Sequence, residues 1–373
     1  TDEYVLDPVT GKRTSWTEID SNGSHIWASR RRNYNDLDQV TSLLETSDDG
    51  TTTTTYYDVA QAQPWTEYTN YATSAGLIIR QYRLLDTGNA IEYLWPNGHG
   101  NVGAYSITTH DLKNLVSTYR TYTANYNSDN KLVKQTFIRD NGQTDEYVLD
   151  PVTGKRTSWT EIDSNGSHIW ASRRSNYAVN GTVVQQVDQI NDDGTSTKTY
   201  YDVEGAPWAG AWYVNQTVAY DAAGNRTRSS GLRDNGNAWD YTYNPDGSQL
   251  RTEIDANNDE WYRSYTNTYD ASGQKIVQQT GVLDNGDSWQ WVWENGHGNA
   301  GSSERIDWDT SGTKPWWHEV ADYNAANQLT RFETYYDDNT KVVDNYSNDA
   351  NAGWTKRTDI FNAAGALSSQ TYT

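Results

Sequence analysis

Alternating acidic and amide side chains in the second half of the chain could hold a calcium ion. Asp255, Asn257 and Asp259 have the spacing of the first ligands of a calcium-binding loop. Such a loop also needs a glycine at its sixth position and a glutamate at its twelfth, where this chain has Glu260 and Thr266. Ca²⁺ is therefore one alternative for these residues. The other is that they cap their own turn by accepting backbone N–H bonds, and no other cofactor is expected.

Clustered tryptophans could bind carbohydrate. An indole face stacks on a sugar ring, and flanking Asp, Asn and Gln side chains can bond to the sugar hydroxyls. The candidates are Trp239, Trp261, Trp289, Trp291, Trp293, Trp316 and Trp317. The alternative, which we favour, is that these rings form a ladder between neighbouring repeats. They would then supply the apolar contacts that Leu and Ile supply in other proteins.

Catalytic motifs are missing from the sequence. Pairs of carboxylates for glycoside hydrolysis occur by chance among 50 acidic residues, so their presence decides nothing. The chain contains no G-x-S-x-G, no H-E-x-x-H and no P-loop. We therefore predict that the chain is not an enzyme, and an enzyme acting on polysaccharide is the weakest alternative.

Composition excludes several classes of partner. The net charge of −21 disfavours binding to nucleic acid, which requires clustered Lys and Arg. No apolar run approaches the ~20 residues that span a bilayer, so no membrane insertion is expected. Cysteine is absent, which rules out disulfides and thiolate chemistry. The 28 Tyr and 17 Trp against 3 Phe suit sheet faces that are half buried and half wet.

Long internal repeats are the main signal in the sequence. Residues 1–31 recur without a change at residues 144–174. A second similarity joins the NGHGN segments at residues 97–101 and 295–299. The sequence therefore predicts a first hairpin-repeat block at residues 1–143 and a second at residues 144–373. We interpret the two blocks as one continuous repeat array and as an excerpt of a longer protein.

A shorter unit lies within the long repeats. Tyr followed by Asp or Asn opens it, and a turn with an Asp follows. The turn residues are Asp20, Asp86, Asp140, Asp163, Asp234 and Asp284. Aromatic residues follow at a spacing of seven, and the repeat aromatics are Trp27, Tyr93, Tyr147, Trp170, Tyr241 and Tyr262. The Asn-Gly and Asp-Gly pairs predict two-residue primed turns, since these residues tolerate positive φ.

Between turns the sequence alternates with the period of a β-strand. Residues 289–293 place three tryptophans on one face, and the threonines at residues 51–55 have high strand propensity. No segment shows a helical period. The predicted fold is all-β, with tandem β-hairpin repeats stacked into a spiral, solenoid-like or fibre-like sheet and no significant helix.

The segments YDAAGNRTR, YDASGQKIV and YNPDGSQLR resemble the YD repeats of Rhs proteins and teneurins. That resemblance implies long hairpin-built sheets that coil into a spiral or shell. It also implies large extracellular or secreted proteins that act in adhesion or as toxin containers. The Pro- and Arg-containing motif that closes an Rhs shell is missing here, which favours an open array.

The predicted function is that of a structural scaffold. We expect a repeat segment of a large exported bacterial protein, located outside the cell or on its surface, that forms a fibre, stalk or shell. The expected partners are neighbouring repeats or further copies of the chain. A carbohydrate-binding or adhesive module that uses the Trp and Tyr faces is the alternative, with glycans as partners.

Overall fold

The computed structural model describes residues 1–113, 118–349 and 351–373. These residues form antiparallel β-strands and turns without an α-helix, which confirms the predicted all-β hairpin fold. Consequently none of the described segments is a helix long and apolar enough to cross a membrane. The strands divide between two compact units, Thr1–Asp192 and Asp193–Thr373. The second copy of the duplicated sequence begins at residue 144, which lies inside unit 1. The boundary between the structural units is therefore not the boundary between the sequence repeats.

Unit 1 contains fifteen described strands. They are β1 (Asp2–Leu6), β2 (Arg13–Ile19), β3 (Trp27–Tyr34), β4 (Val40–Ser47), β5 (Thr52–Tyr57), β6 (Trp65–Ala72), β7 (Ile78–Leu85), β8 (Ala90–Leu94), β9 (Tyr105–His110), β10 (Tyr119–Tyr126), β11 (Leu132–Arg139), β12 (Thr144–Leu149), β13 (Arg156–Ile162), β14 (Trp170–Tyr177) and β15 (Val184–Asn191).

Unit 2 contains fourteen described strands. They are β16 (Ser196–Tyr201), β17 (Tyr213–Tyr220), β18 (Arg226–Arg233), β19 (Ala238–Tyr243), β20 (Gln249–Ile254), β21 (Tyr262–Tyr269), β22 (Ile276–Leu283), β23 (Ser288–Trp293), β24 (Ser303–Trp308), β25 (Trp316–Tyr323), β26 (Leu329–Tyr336), β27 (Lys341–Tyr346), β28 (Lys356–Phe361) and β29 (Leu367–Tyr372).

Within each unit the strand order in the sheet is the order in the chain. Each strand pairs antiparallel with the next, as β1 does with β2 and β2 with β3. Among the described residues, strands of one unit contact only the strands directly before and after them in sequence. Each unit is therefore a meander in which stability comes from nearest neighbours.

The short turns contain three residues, not two. In the turn after β11, the N–H of Gly142 donates to the carbonyl of Arg139 over 3.0 Å. The N–H of Arg139 donates to the carbonyl of Gln143 over 2.8 Å. Gly142 has a φ of 89°, whereas Asn141 is not in the left-handed region. The prediction of two-residue primed turns is wrong, because a type I turn followed by a left-handed glycine also gives the strands their twist.

Longer loops precede β3, β6, β14, β21 and β25, and each of these loops begins with an aspartate. The Asp58 carboxylate accepts the N–H groups of Ala62 over 3.1 Å and Gln63 over 2.7 Å. In four other loops the N–H of the residue five positions later donates in the same way to the aspartate carboxylate. These aspartates are Asp20, Asp163, Asp255 and Asp309. Each loop is thus held by a carboxylate of its own sequence.

Few apolar side chains are buried. In the described part of the chain they are Trp27, Ala90, Ala124, Ala178, Ala206, Val218, Trp239, Trp289, Ala321 and Val343. Every residue of β4 and β11 is half-buried, without the alternation of a strand that has one core face. Both faces of these strands are therefore covered mainly by the side chains of adjacent strands.

Candidate functional site: the aromatic faces

Two tryptophans in unit 2 lie over glycines of the neighbouring strand. Gly231 is opposite Trp239, and Gly281 is opposite Trp289. A methyl group at Gly231 would come within 2.3 Å of the Trp239 ring, and one at Gly281 within 2.5 Å of the Trp289 ring. Trp239 is 2% exposed and Trp289 is 8% exposed. These indoles fill space on the sheet and are part of its packing.

A second, exposed indole packs on each of these two buried indoles. The ring of Trp212 is 4.7 Å from that of Trp239, and the ring of Trp261 is 6.3 Å from that of Trp289 at an angle of 24°. Trp212 is 55% exposed and Trp261 is 65% exposed. We call these the two tryptophan pairs, Trp212/Trp239 and Trp261/Trp289. Each presents one indole to solvent on a support that is fixed by the sheet.

Trp291 and Trp293 share a face of β23. Their rings stack at 5.8 Å with 2° between the planes. Tyr323 continues the stack beside Trp291 at 5.6 Å, and His297 meets Trp293 edge-on at 4.8 Å. Both indoles are half-buried, and the stack covers the face that each ring turns towards the other.

Trp316 and Trp317 are adjacent on β25 at a register irregularity, and their rings make different contacts. Trp316 is half-buried, with the Lys314 Nζ 4.3 Å from its ring. Trp317 is 48% exposed and contacts the rings of His318 and Tyr335 at 3.7 and 5.8 Å. The predicted cluster of two is therefore two separate sites, and only Trp317 offers an open indole.

Four repeat aromatics stack on a nearby ring. The pairs are Trp27–His25 at 4.6 Å, Trp170–His168 at 4.5 Å, Tyr93–Trp95 at 5.4 Å and Tyr147–Trp159 at 5.9 Å. Arginines extend such stacks: Arg83 lies 5.3 Å from the rings of both Tyr68 and Tyr93. The sheet thus carries short stacks of rings and guanidinium groups, since a guanidinium also binds to a ring face.

The other two repeat aromatics, Tyr241 and Tyr262, have raised pKa values. Burial raises the pKa of Tyr241, and so does the hydrogen bond that its hydroxyl donates to Glu253 over 2.6 Å. Burial and the nearby Tyr265 raise the pKa of Tyr262 to about 12. Both hydroxyls are protonated at neutral pH, and that of Tyr241 is a hydrogen-bond donor to Glu253.

The predicted turn residues belong to two kinds of turn. Asp20 and Asp163 begin the long loops and accept backbone N–H groups there. The residues in three-residue turns are Asp86, Asp140, Asp234 and Asp284. The N–H of Asp86 donates to the carbonyl of Pro64 over 3.3 Å, which joins the turn to the neighbouring loop.

The calcium candidates form turn caps. Asp255 accepts the N–H groups of Asp259 over 3.2 Å and Glu260 over 2.9 Å. Burial would raise the pKa of Asp255, but these N–H donors hold it below the usual value. The Asn257 amide donates to the backbone carbonyl of Asn235. No three His, Asp or Glu side chains come together as a metal site in the described residues.

Carboxylates buried within strands or short turns lie next to cations. The pairs are Asp145–Arg139 at 2.5 Å, Glu333–Lys341 at 2.9 Å, Asp359–Arg357 at 3.0 Å and Asp287–Lys314 at 3.3 Å. Burial works against ionisation of Asp287, yet hydrogen bonds from Ser311 and Asn285 keep its pKa well below the usual range. These groups are arranged to stabilise charge inside the sheet.

Sequence reasoning missed Trp212, Gly231 and Gly281. Trp212 occupies the position just before an eight-residue strand, where Ile26 and Ile169 are also exposed, at 83% and 81%. An exposed apolar residue directly before a strand was therefore the sequence signal that could have identified Trp212. The glycines required knowledge of which residue stands opposite which tryptophan.

Comparisons with known proteins give only weak similarities. No family model matches the chain, and no curated protein matches it. Among solved structures, it is similar to the Tc holotoxin pore of Photorhabdus luminescens, with 12% identity, a TM-score of 0.18 and coverage of 88% of this chain and 19% of that one. The TcdB2–TccC3 complex without its hypervariable C-terminal region has 12% identity, a TM-score of 0.15 and coverage of 100% and 22%.

The chain spans about a fifth of the length of these proteins. At TM-scores this low, neither fold nor function can be transferred from them.

Proposed function

We propose that the chain is a structural segment of a large exported bacterial protein with YD-type repeats. It would serve as a stalk, fibre or shell outside the cell or on its surface. The observation that carries the proposal is that, within each unit, described strands contact only their sequence neighbours. A sheet built in this way grows by adding strands without changing those already present.

The use of charged groups supports a scaffold over an enzyme. The buried carboxylates of Asp145 and Glu333 are paired with Arg139 and Lys341, and the loop carboxylates accept backbone N–H groups. Glycoside hydrolysis, the enzymatic alternative for this chain, needs a pair of carboxyl groups free to face a substrate. The proposal therefore assigns no catalytic step to this chain.

The location and size of the native protein test this proposal. An antibody raised against the chain should label intact cells or the culture medium. It should detect a species much larger than the 42.2 kDa of these residues. A native species confined to the cytoplasm would contradict the proposal, whatever its size.

Glycan binding is the second candidate function, favoured by the exposure of three indoles. Trp212, Trp261 and Trp317 are 55%, 65% and 48% exposed. The first two rest on buried tryptophans, so their orientation is fixed before any ligand arrives. An exposed, preoriented indole loses little entropy when it stacks on a sugar ring.

Fluorescence titration with a panel of polysaccharides tests this second function. Trp261→Ala should reduce the ligand-dependent change in indole emission, with Trp212 and Trp317 still present, while the far-UV spectrum stays unchanged. Ile26→Ala is the matched control, because Ile26 occupies the same position before a strand of unit 1 and is 83% exposed. Equal responses of both variants and the parent to every polysaccharide would rule out a role for Trp261.

A further inference from the structure

One cavity of unit 1 is lined by two cationic side chains and two tyrosines. It lies among β11, β12, β13, β14 and β15 and has a volume of about 600 Å³. Lys155 and Arg156 line it together with Tyr147 and Tyr177, and all of its lining residues lie between residues 135 and 184. Pockets of about 300–1,000 Å³ are usual for small-molecule ligands. We call it the Arg156 cavity.

The Arg156 guanidinium is held between the two tyrosines. Its central carbon is 4.7 Å from the ring centre of Tyr147 and 5.3 Å from that of Tyr177. One of its N–H groups donates to the Tyr177 hydroxyl over 3.2 Å. A guanidinium has several N–H donors, so this bond leaves the others for a further acceptor. Both tyrosines are half-buried, whereas Arg156 is exposed to the cavity and to solvent.

Two other arginines lie between tyrosines in the same way but have an acceptor of their own. Arg83 is 5.3 Å from each of two tyrosine rings, and its Nε donates to the Gln81 side chain over 3.1 Å. Arg251 is 5.8 and 4.1 Å from two tyrosine rings and donates to the Gln249 side chain over 3.1 and 2.8 Å. In the described part of the chain, Arg156 donates to no carboxylate or side-chain amide.

The first copy of the duplicated segment shows a group that this pair of cations binds. Lys12 and Arg13 there correspond to Lys155 and Arg156. The Arg13 Nη2 is 3.2 and 3.4 Å from the two carboxylate oxygens of Asp38, and the Lys12 Nζ donates to a backbone carbonyl of the same loop. A carboxylate from the loop after β3 is thus the partner of the arginine in the first copy.

The corresponding loop of the second copy has no acidic residue. Residues 35–39 read N-D-L-D-Q, whereas residues 178–183 read A-V-N-G-T-V. A methyl group at Gly181 would come within 2.7 Å of the Lys155 Cβ, so the glycine lets this loop lie close to the lysine stem. The second copy therefore keeps the two cations and lacks the carboxylate that the first copy supplies, in a chain whose net charge is −21.

We propose that the Arg156 cavity binds the carboxylate of a sugar acid of the hexuronate type, either free or as a residue of an acidic polysaccharide. Arg156 and Lys155 bind the carboxylate, because a planar guanidinium matches its two oxygens. The cavity has room for a sugar ring beside the carboxylate. Gln135, Asn180 and Thr182 also line it and supply amide and hydroxyl groups for the sugar hydroxyls. This site goes beyond the structural role and uses none of the three exposed indoles.

Isothermal titration of the whole chain with sodium galacturonate and sodium glucuronate tests the ligand class. At least one uronate should bind about tenfold more tightly than its neutral parent sugar, because galactose and glucose lack the group that the cations hold. Oligogalacturonate that binds more tightly than galacturonate indicates a polysaccharide residue, and equal affinity indicates a free sugar acid. The proposal is overturned if neither uronate exceeds its parent sugar, if acetate binds as tightly, or if inorganic phosphate binds more tightly.

Substitution of the arginine tests the site itself. Arg156→Gln should weaken uronate binding about tenfold, and Arg156→Lys should weaken it less, because an ammonium keeps the charge but not the planar pair of donors. Arg83→Gln is the matched control, since Arg83 also lies between two tyrosines but already donates to Gln81. Far-UV spectra and unfolding midpoints establish that each variant is folded. Equal affinities of Arg156→Gln and Arg83→Gln would overturn the proposal.

Backbone amide signals in nuclear magnetic resonance locate the bound ligand. Those of Gly154 and Gly181, which line the cavity, should shift as the uronate is added. Gly11 is the internal control, because it occupies the position of Gly154 in the first copy, where Asp38 already lies on Arg13. A shift at Gly11 as large as that at Gly154 would show that the missing loop carboxylate does not create the site, and would overturn the proposal.

Discussion

The two identical segments, residues 1–31 and 144–174, have the same local structure but different burial. The Tyr–Trp pair on the first two strands stacks at 5.9 Å with 4° between the planes in both copies. Asp2 is exposed, whereas Asp145 at the same position is 1% exposed, because β11 covers β12. Local geometry therefore follows from the sequence of the segment, and burial follows from the strand beside it.

The loops of the two copies agree as closely as the ring stacks. Asp7 accepts the N–H of Thr10 over 2.6 Å, and Asp150 accepts the N–H of Thr153 over 2.6 Å. These bonds lower the pKa of both carboxyls. A loop that supplies its own hydrogen-bond acceptor does not depend on the neighbouring strand.

The copies diverge at the first residue beyond the identity. Arg32 pairs with Glu18 over 2.6 Å and lies 4.6 Å from the Trp16 ring. Ser175 occupies the same position in the second copy, so Glu161 has no such partner there. Burial and the nearby Asp145 raise the pKa of Glu161.

The largest difference is expected at the first aspartate of each copy. Asp145→Ala removes the partner of Arg139 and leaves the Trp159 N–H without its acceptor. We expect a loss of about 2–3 kcal/mol in the free energy of unfolding, because both groups are partly desolvated. Asp2→Ala should cost at most about 0.5 kcal/mol, as for an exposed site.

Thermal unfolding of Asp145→Ala and Asp2→Ala measures the loss of stability in each variant. Hydrogen exchange in the two segments shows where protection is lost. Loss of protection should be confined to β11, β12 and β13 for Asp145→Ala. Equal effects of the two substitutions would show that burial by the neighbouring strand does not control the contribution of this residue.

Loop caps should contribute equally in both copies. Asp20→Ala removes the acceptor of the His25 N–H, and Asp163→Ala removes the acceptor of the His168 N–H. Each should lower the free energy of unfolding, and by the same amount in the two copies. Hydrogen exchange at the two loops provides the measurement. A difference above about 0.5 kcal/mol between them would mean that the neighbouring strand also supports the loop.

The sequence predicted what is decided within a hairpin. Asp-Asn-Gly turns, alternating residues and Thr-rich stretches act over a few positions, so strands and turns could be located. The turn type was missed because Gly142 meets the needs of a two-residue and a three-residue turn alike. A packing role for the tryptophans was expected, but the sequence could not show that Trp239 and Trp289 are the buried ones, since their burial depends on Gly231 and Gly281 across the sheet.

Arg32 and Ser175 occupy equivalent positions in the two copies, and exchanging them should change the free energy of unfolding in opposite directions. Arg32→Ser removes the Glu18 ion pair and the contact with Trp16, and should cost about 0.5–1 kcal/mol. Ser175→Arg should introduce both interactions beside Glu161 and Trp159 and stabilise by a similar amount. Denaturant unfolding in low and high salt measures the two variants. The same sign for both would contradict the equivalence of the positions.

The smallest expected effect is a pH dependence that arises from Glu161 in the second copy. The raised pKa of Glu161 means that the folded state holds this proton more tightly than the unfolded state does. Its contribution favours folding below the unfolded pKa and is lost as the pH rises through the folded pKa, which leaves a penalty at pH 7. Glu161→Gln should therefore be more stable than the parent at pH 7, by less than about 1 kcal/mol. That advantage should disappear as the pH falls towards about 4.

Glu18→Gln is the matched control for this pH dependence, because it removes the carboxylate that Arg32 holds at 2.6 Å. It should be slightly less stable than the parent at pH 7, opposite in sign to Glu161→Gln. Unfolding midpoints at a series of pH values from 4 to 8 give both differences. If Glu161→Gln were destabilised at pH 7, or its advantage did not change with pH, the ion pair of the first copy would not explain the difference between the two segments.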